Sequence, residues 1–280
     1  MKRIMKSSMI LLLVLLSLVW VAGCTEKPTS TTSNNTQSQV SQDSSNKIEK
    51  IELTVSAAAS LTDALTEIQK SYESAHSNIK LNFNFGASGA LQQQIEQGAP
   101  VDVFLSAAPK NMNALVDKEL IATNQQRTLL SNELVVIVPS SASTTLEKLH
   151  DLTQEKIKKV AIGIPESVPA GNYAKEALTH AQLWETLQAK TVQAKDVRQV
   201  LQYVETENVE AGFVYKTDAL TSSKVKIAFP VDPNSYSPVQ YPVGIVKSSK
   251  HSKEAEAFYT YLQSKDALDV FVKYGFSIPK

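Results

Sequence analysis

Apolar residues follow two alternating patterns along the chain from about residue 50 onwards. Short apolar or β-branched runs, typical of strands, are each followed by a stretch with apolar residues at helical spacing. Strands are predicted at 51–56, 80–85, 101–105, 132–138, 159–164, 190–194, 209–215, 225–231 and 241–246. Helices are predicted at 61–75, 89–97, 109–117, 145–151, 171–188, 197–206 and 253–274, the last with a break near Lys265. This alternation predicts an α/β fold with mostly parallel sheets, in which ligands bind at the carboxyl ends of strands.

Two apolar segments, Leu134–Pro139 and Tyr241–Lys247, are typical of strands that cross between two lobes. After the second crossing, the chain would return to the first lobe for its C-terminal helices. We therefore expect residues 49–134 and 240–280 to form lobe 1, and residues 135–239 to form lobe 2. A cleft between two lobes is a favoured place for a ligand.

The first 48 residues predict export and anchoring rather than a folded domain. A basic start is followed by an apolar run from Met9 to Ala22 and then by Gly23-Cys24, which predicts a signal peptide over residues 1–23. The ending Val21-Ala22-Gly23-Cys24 resembles a lipobox, so Cys24 is expected to be lipidated and to anchor the protein on the extracytoplasmic face of the cell membrane. An uncleaved membrane span is the alternative, but the run is shorter than the ~20 residues that a span needs. Residues 24–48 are mainly polar and predict a disordered tether.

Charge and cysteine content exclude several classes of protein. The chain carries 28 basic and 28 acidic residues, whereas binding to nucleic acid calls for a basic face. Cys24 is the single cysteine, which excludes an intrachain disulfide. We therefore expect neither a nucleic-acid partner nor disulfide stabilisation.

Two serines, Ser60 and Ser88, each stand between a predicted strand and a predicted helix. The first N–H groups of a helix lack intrahelical acceptors and lie at the positive end of the helix dipole, so such positions favour anions. The simpler interpretation is that each serine only caps its helix, and Ser60-Leu61-Thr62-Asp63 is similar to a capping box. Two such turns with small neighbours could face one small oxyanion from two sides.

Three further positions combine a predicted strand end or helix start with groups that could face a ligand. Pro165–Gly171 forms a stiff turn before a helix, and its Ala170 and Gly171 would let the backbone approach a ligand. Asp196 is placed to cap the helix that begins at Val197, and Tyr215 ends a strand. Each also has a structural interpretation, as a tight loop, a capped helix and a half-buried aromatic residue.

Taken together, these segments resemble the molybdate-binding proteins of bacterial ABC importers. The similarity extends from about residue 50 to the end of the chain, including Tyr-Pro-Val at 241–243 and the closing Phe-Val-Lys-Tyr-Gly-Phe. Five separated segments match in order, namely Ala57–Leu61, Leu91–Val103, Val168–Gly171, Asp196–Arg198 and Val214-Tyr215.

The resemblance implies a two-lobed periplasmic-binding-protein type II fold that binds molybdate or tungstate and has no enzymatic activity. Carried over by position, the implied ligand-binding residues are Ser60, Ser88, Ala170, Val197 and Tyr215. The hydroxyl groups of Ser60, Ser88 and Tyr215 would donate to the oxyanion, whereas Ala170 and Val197 would contribute backbone N–H groups. The molybdenum arrives inside its oxyanion, so no protein–metal ligand and no cofactor are expected. The implied partners are an ABC permease and its ATPase, with the binding protein acting as a monomer.

Two alternatives remain open from the sequence. The same fold could bind another tetrahedral oxyanion, sulfate or phosphate. The turn Gly86-Ala87-Ser88-Gly89-Ala90 is also similar to a nucleophile elbow, which would make Ser88 the nucleophile of an envelope serine hydrolase. The histidines available to such an enzyme are His76, His150, His180 and His251.

Overall fold

The computed structural model describes residues 50–279. The predicted signal peptide, the lipidation of Cys24 and the tether to residue 48 lie outside these residues. The strands are β1 Ile51–Ala58, β2 Ile79–Gly86, β3 Val103–Leu105, β4 Ile121–Ser131, β5 Leu134–Pro139, β6 Val160–Gly163, β7 Thr191–Ala194, β8 Ala211–Tyr215, β9 Val225–Pro230 and β10 Gln240–Val246. The α-helices are α1 Thr62–Ala75, α2 Ser88–Glu96, α3 Pro109–Asp117, α4 Pro169–His180, α5 Trp184–Gln188, α6 Val197–Glu205, α7 Lys216–Leu220, α8 Ser252–Tyr261 and α9 Lys265–Lys273. Within residues 50–279, no helix is both long and apolar enough to cross a membrane.

The strands form two sheets with the same internal pattern. The first sheet has the order β2-β1-β3-β10-β4, and the second has the order β7-β6-β8-β5-β9. Buried apolar side chains on both sheets pack against their flanking helices, as Leu65, Ile68 and Tyr72 of α1 do. The predicted α/β architecture with two sheets and flanking helices is therefore confirmed.

The expectation of mostly parallel sheets holds, although neither sheet is strictly parallel: in each sheet four of the five strands run in the same direction and one runs against them. In the first sheet β1 pairs with β2 and β3 in parallel, whereas β10 pairs with β3 and β4 antiparallel. The second sheet repeats this arrangement, with β5 as the antiparallel neighbour of β8 and β9. The reversed direction of β5 follows from where the chain enters the second sheet. Strand β5 begins beside the end of β8, with Leu134 paired to Tyr215, and therefore runs back along β8.

The chain passes between the sheets twice, directly before each of the two strands expected to connect the lobes. The first passage is the pair Asn132-Glu133 between β4 and β5, and the second is 231–239 between β9 and β10. The two passages are hydrogen-bonded, since the N–H of Asn132 donates to the carbonyl of Val239 at 3.2 Å. The predicted strand 132–138 accordingly begins two residues later than expected.

One strand and one α-helix have no counterpart in the sequence prediction. Strand β4 is an edge strand in which Thr123 to Thr128 are largely polar and at least partly exposed, so the alternation of apolar residues that marks a half-buried strand is absent. Helix α7 has five residues and is too short to show helical periodicity.

Two predicted helices differ from the structure, while the break in the last one is confirmed. The segment predicted as a helix at 145–151 contains only a 3-10 helix, Leu149–Thr153. The helix predicted at 171–188 is divided into α4 and α5 by a turn in which Gln182 has a φ of 58°. The break near Lys265 separates α8 from α9.

Candidate functional site

A small cavity lies where the carboxyl ends of the parallel strands of both sheets meet. It holds about 210 Å³ of space between atoms, part of which is open to solvent, and brings together all five residues that the resemblance implied. Its lining consists of Ala58, Ala59, Ser60, Gly86, Ala87, Ser88 and Ala107 from the first-sheet side, and Val168, Pro169, Ala170, Val197 and Tyr215 from the second-sheet side. The position matches the general rule that open α/β sheets bind ligands beyond the carboxyl ends of their strands.

Ser88 is fully buried at the first position of α2 and does not cap this helix. The residue before the helix is Ala87, which makes no side-chain capping bond. The Oγ atom of Ser88 instead accepts a hydrogen bond of 2.9 Å from the N–H of Ala107, beyond β3. Since that lone pair is used, the hydroxyl proton of Ser88 is free to donate towards the cavity.

Ser60 does not cap α1 either, and the capping-box interpretation is wrong. Ser60 lies inside a 3-10 helix, Ala59–Leu61, and the residue that precedes α1 is Leu61. The Oγ atom of Ser60 lies 2.9 Å from the Oη atom of Tyr241 on β10. Both serine hydroxyls are therefore held by tertiary hydrogen bonds at the cavity rather than by their own helix ends.

The second-sheet side offers backbone donors at two helix starts. Val197 is the first residue of α6, which is capped by Asp196 through a bond of 2.9 Å from the N–H of Gln199, as predicted. Ala170 is the second residue of α4, after Pro169. First-turn N–H groups lack intrahelical acceptors, and the positive ends of the two helix dipoles lie at the same cavity.

Tyr215 supplies a buried hydroxyl without a protein partner. Its side chain is 1% exposed, and within residues 50–279 its Oη atom has no hydrogen-bond partner. Burial raises the pKa of the phenol well above its usual value, so the group keeps its proton and can donate. A buried, unpaired hydroxyl is unfavourable, and a bound acceptor in the cavity would satisfy it.

No charged side chain lines this cavity, although an arginine stands next to it in sequence. The side chain of Arg198 turns away, and its Nε atom is 2.8 Å from Oδ1 of the buried Asp218. A second guanidinium nitrogen is 2.6 Å from Oδ2 of Asp63 on α1, so Arg198 also joins the two sides of the molecule. Burial is the main cause that raises the pKa of Asp218 to about 6, against the opposing effect of Arg198. An anion in the cavity would be held by neutral dipoles alone.

The two sides of the cavity also meet through a backbone contact at α2. The N–H of Gly89 donates to the carbonyl of Ser167 at 3.0 Å, and a Cβ atom at residue 89 would lie 2.7 Å from that oxygen. Gly171 has a different role from the one expected, because it packs against Gly163 of β6 and does not line the cavity.

A larger cleft, with about 1000 Å³ of space between atoms that includes open solvent, shares Val168 and Pro169 with the small cavity. It is lined by the carboxylates of Glu166 and Glu176 and by one cation, Lys110. Two carboxylates against one ammonium group disfavour a dianion, so the smaller, uncharged cavity is the better candidate for an oxyanion.

The hydrolase alternative lacks its catalytic geometry. Within residues 50–279, the Oγ atom of Ser88 is bonded to the N–H of Ala107, and no histidine makes a hydrogen bond to it. The same residues contain no group of three or more His, Cys, Asp or Glu side chains that could hold a metal ion.

Residues 53–277 match the family of bacterial extracellular solute-binding proteins. The chain belongs to this family. It is 47% identical over 272 residues to YvgL of Bacillus subtilis, a candidate ABC transporter substrate-binding lipoprotein, with 97% of this chain and 98% of that protein covered. It is 40% identical over 230 residues to the molybdate-binding protein ModA of Haemophilus influenzae, with 80% and 89% covered.

A solved structure extends these comparisons to the fold. The substrate-binding domain of a candidate molybdenum ABC transporter from Clostridium difficile is 42% identical, with a TM-score of 0.64 and with 82% of this chain and 99% of that chain covered. The fold is accordingly the two-lobed fold of periplasmic binding proteins. Membership of this family makes the chain an extracytoplasmic solute-binding protein rather than an enzyme.

Two polar residues near the site were not identified from the sequence. Tyr241 contacts Ser60, and Asn132 contacts Tyr241 from the first passage between the sheets. The segment Tyr-Pro-Val at 241–243 was part of the resemblance, but nothing in its spacing indicates which serine its hydroxyl would reach.

Proposed function

We propose that this protein captures molybdate, and tungstate as well, outside the cytoplasmic membrane and delivers it to an ABC importer. The observation that carries the proposal is the cavity in which Ser60, Ser88, Ala170, Val197 and Tyr215 meet without any charged side chain. Three hydroxyl groups and two helix starts give it hydrogen-bond donors from both sheets, as a small, fully deprotonated oxyanion requires. The names of the ModA relatives support molybdate as that oxyanion.

The choice between oxyanions rests on size and protonation. Molybdate, tungstate and sulfate are all dianions, so their charge does not distinguish them. Discrimination must come from the size of the oxyanion relative to donors at fixed positions. Phosphate at neutral pH retains a proton, which needs an acceptor, and no carboxylate lines the cavity. We therefore expect binding of molybdate and tungstate, and not of sulfate or phosphate at similar concentration.

Isothermal titration of the protein with each of the four oxyanions tests the proposal. We expect a saturable heat with one site for molybdate and tungstate, and no saturable heat for the other two. An equal response to sulfate would contradict molybdate capture and favour a general oxyanion binder.

The remaining parts of the proposal concern the anchor, the lobes and the partners. We propose that residues 1–23 are removed and that lipid on Cys24 holds the protein at the cell membrane, a role supported by the lipoprotein name of YvgL. Residues 49–134 with 240–280 would form one lobe and 135–239 the other, in keeping with the strands of each sheet. The monomer would deliver its ligand to a permease driven by an ATPase.

The anchor has its own test, which is independent of ligand binding. Replacing Cys24 with Ser should abolish labelling of the protein by a radioactive fatty acid in cells and leave the molybdate affinity unchanged. Persistent labelling of the Cys24→Ser protein would show that the lipid is attached elsewhere.

A further inference from the structure

The hydroxyl of Ser60 belongs to a chain of hydrogen bonds that begins outside the cavity. Its Oγ atom is 2.9 Å from Oη of Tyr241, which is itself 3.3 Å from Nδ2 of Asn132. The same Nδ2 atom donates to Oγ1 of Thr217 at 2.9 Å. Asn132 therefore links Thr217 on the second-sheet side to Tyr241 on the first, from its place in the passage between the sheets.

The direction of each proton in this chain follows from one backbone group. The N–H of Glu133 donates at 2.9 Å to the side chain of Asn132, and the atom it reaches must be the carbonyl oxygen, because an N–H cannot accept. The amide nitrogen of Asn132 then faces Tyr241 and can only donate, so Oη of Tyr241 accepts. Its own proton goes to the other neighbour, Oγ of Ser60.

The orientation of the Ser60 hydroxyl proton is what matters for ligand binding. Because Oγ of Ser60 accepts from Tyr241, the hydroxyl proton of Ser60 points elsewhere, and Ser60 lines the cavity. Burial raises the pKa of Tyr241 well above its usual value, so the phenol keeps the proton that it donates. Tyr241 is 1% exposed and its ring packs edge-on against Tyr215 and Phe276, which holds the oxygen in place.

We propose that Tyr241 is a positioning residue that presents Ser60 to the oxyanion as a fixed donor, with Asn132 setting the direction of the chain. The inference rests on the proposed function and adds two residues that do not line the cavity. A serine whose proton is already directed at the ligand needs no reorientation on binding, and a donor polarised by a preceding hydrogen bond is a stronger one.

The first test is a double-mutant cycle in molybdate affinity, measured by titration on the full-length protein. Tyr241→Phe keeps the ring and removes the Oη atom, and we expect it to weaken binding about five- to tenfold. In the Ser60→Ala background the same change should have no further effect, because Tyr241 acts through Ser60. Tyr72→Phe is the matched control, since Tyr72 is 1% exposed, lies on α1 away from the cavity, and should not alter affinity in either background.

The second test uses a substitution at Asn132 to reverse the direction of hydrogen-bond donation from Asn132 through Tyr241 to Ser60. An Asp at this position can still accept from the N–H of Glu133, but it would also accept from Tyr241, so Ser60 would turn its proton towards Tyr241. Asn132→Asp also adds a negative charge, which repels the ligand with or without Ser60. We therefore expect its affinity loss to be about tenfold larger in the wild-type background than in the Ser60→Ala background.

The outcomes separate this inference from the proposed function. Wild-type protein that binds molybdate, combined with equal losses from Tyr241→Phe in both backgrounds, would overturn the role of Tyr241 and leave the function intact. Wild-type protein that does not bind molybdate would overturn the function and this inference with it. If the Tyr241→Phe protein shows no folding transition in a thermal melt, the Asn132→Asp variant provides the test. Equal losses of affinity from Asn132→Asp in the wild-type and Ser60→Ala backgrounds would overturn the proposed role of the hydrogen-bond chain.

Discussion

The two halves of the cavity present their donors in different ways. On the first-sheet side the proposed donors are the side chains of Ser60 and Ser88, and each already holds a hydrogen bond to another strand or loop. On the second-sheet side they are the backbone at Ala170 and Val197 and the hydroxyl of Tyr215, which has no partner within residues 50–279. The serine hydroxyls are thus oriented by side-chain hydrogen bonds, the two backbone donors by helix geometry, and the hydroxyl of Tyr215 by no hydrogen bond within residues 50–279.

This difference determines what a substitution in each half should report. Removing a serine hydroxyl takes a donor from the ligand and an acceptor from the protein, so binding and stability should fall together. Removing the hydroxyl of Tyr215 takes a donor from the ligand alone, so binding should fall by itself.

Ser88→Ala should reduce both affinity and stability. A hydrogen bond to a charged ligand contributes ~1.5–3 kcal/mol, so molybdate affinity should fall about ten- to a hundredfold. The buried N–H of Ala107 loses its acceptor, which should lower the free energy of unfolding by about 1–3 kcal/mol. Titration beside a thermal melt without ligand measures both. A stable variant with weakened binding would show that the bond to Ala107 contributes nothing to folding.

Tyr215→Phe should separate the two effects. We expect affinity to fall about ten- to a hundredfold, because one donor to the anion is lost. The melting temperature without ligand should stay the same or rise, since the change removes a buried hydroxyl that has no protein partner. Unchanged affinity would place the oxyanion away from Tyr215 and remove the contrast between the halves.

Much of the fold could be predicted from the sequence because its elements are amphipathic. Helix α1 buries Leu65, Ile68 and Tyr72 on one face, and that spacing is visible in the sequence. Strand β4 was missed because its long polar middle shows no such alternation. The reversed direction of β5 and β10 could not be predicted either, because it depends on where the chain enters each sheet.

The candidate residues could be named from the sequence, but their hydrogen-bond partners could not. The five proposed residues were implied by the family resemblance and line one cavity, while their role in binding stays a prediction. The interpretation of the serines as caps was wrong because Tyr241 and Ala107 reach them from far along the chain, 181 and 19 residues away. Local spacing contains no information on such tertiary partners.

Val197→Pro extends the contrast to a backbone donor. Proline is tolerated at the first position of a helix, and Asp196 before it already has the extended conformation that proline requires, with φ −158° and ψ 172°. The change removes one N–H and leaves the dipole of α6 in place, so affinity should fall roughly tenfold. Val197→Ala is the matched control, because it trims the side chain and keeps the N–H. Equal affinities for the two variants would exclude this N–H as a donor.

The smallest effect is expected for a buried acid, Asp218, which contacts the backbone of Tyr215 on the second-sheet side of the cavity. Asp218 accepts from the N–H of Tyr215 and faces the guanidinium of Arg198, with Asp63 beyond it. Its pKa is raised from 3.8 to about 6, mainly by burial, so the folded state binds this proton more tightly than the unfolded state does. The contribution of Asp218 to stability should therefore increase as pH falls from about 6 towards 4.

Asp218→Asn removes this titration and provides the test. Melting temperatures of the wild type and the variant should be compared without ligand between about pH 4.5 and 7.5, a range chosen around the pKa of about 6. The difference, wild type minus variant, should grow in favour of the wild type as pH falls, because only Asp218 can take up the proton. If Arg198 instead controlled the carboxylate and held its pKa below 3.8, the difference would stay nearly constant over this range, because Asp218 would be ionised in both the folded and the unfolded state. That result would mean that Asp218 stays ionised as the partner of Arg198 throughout this range.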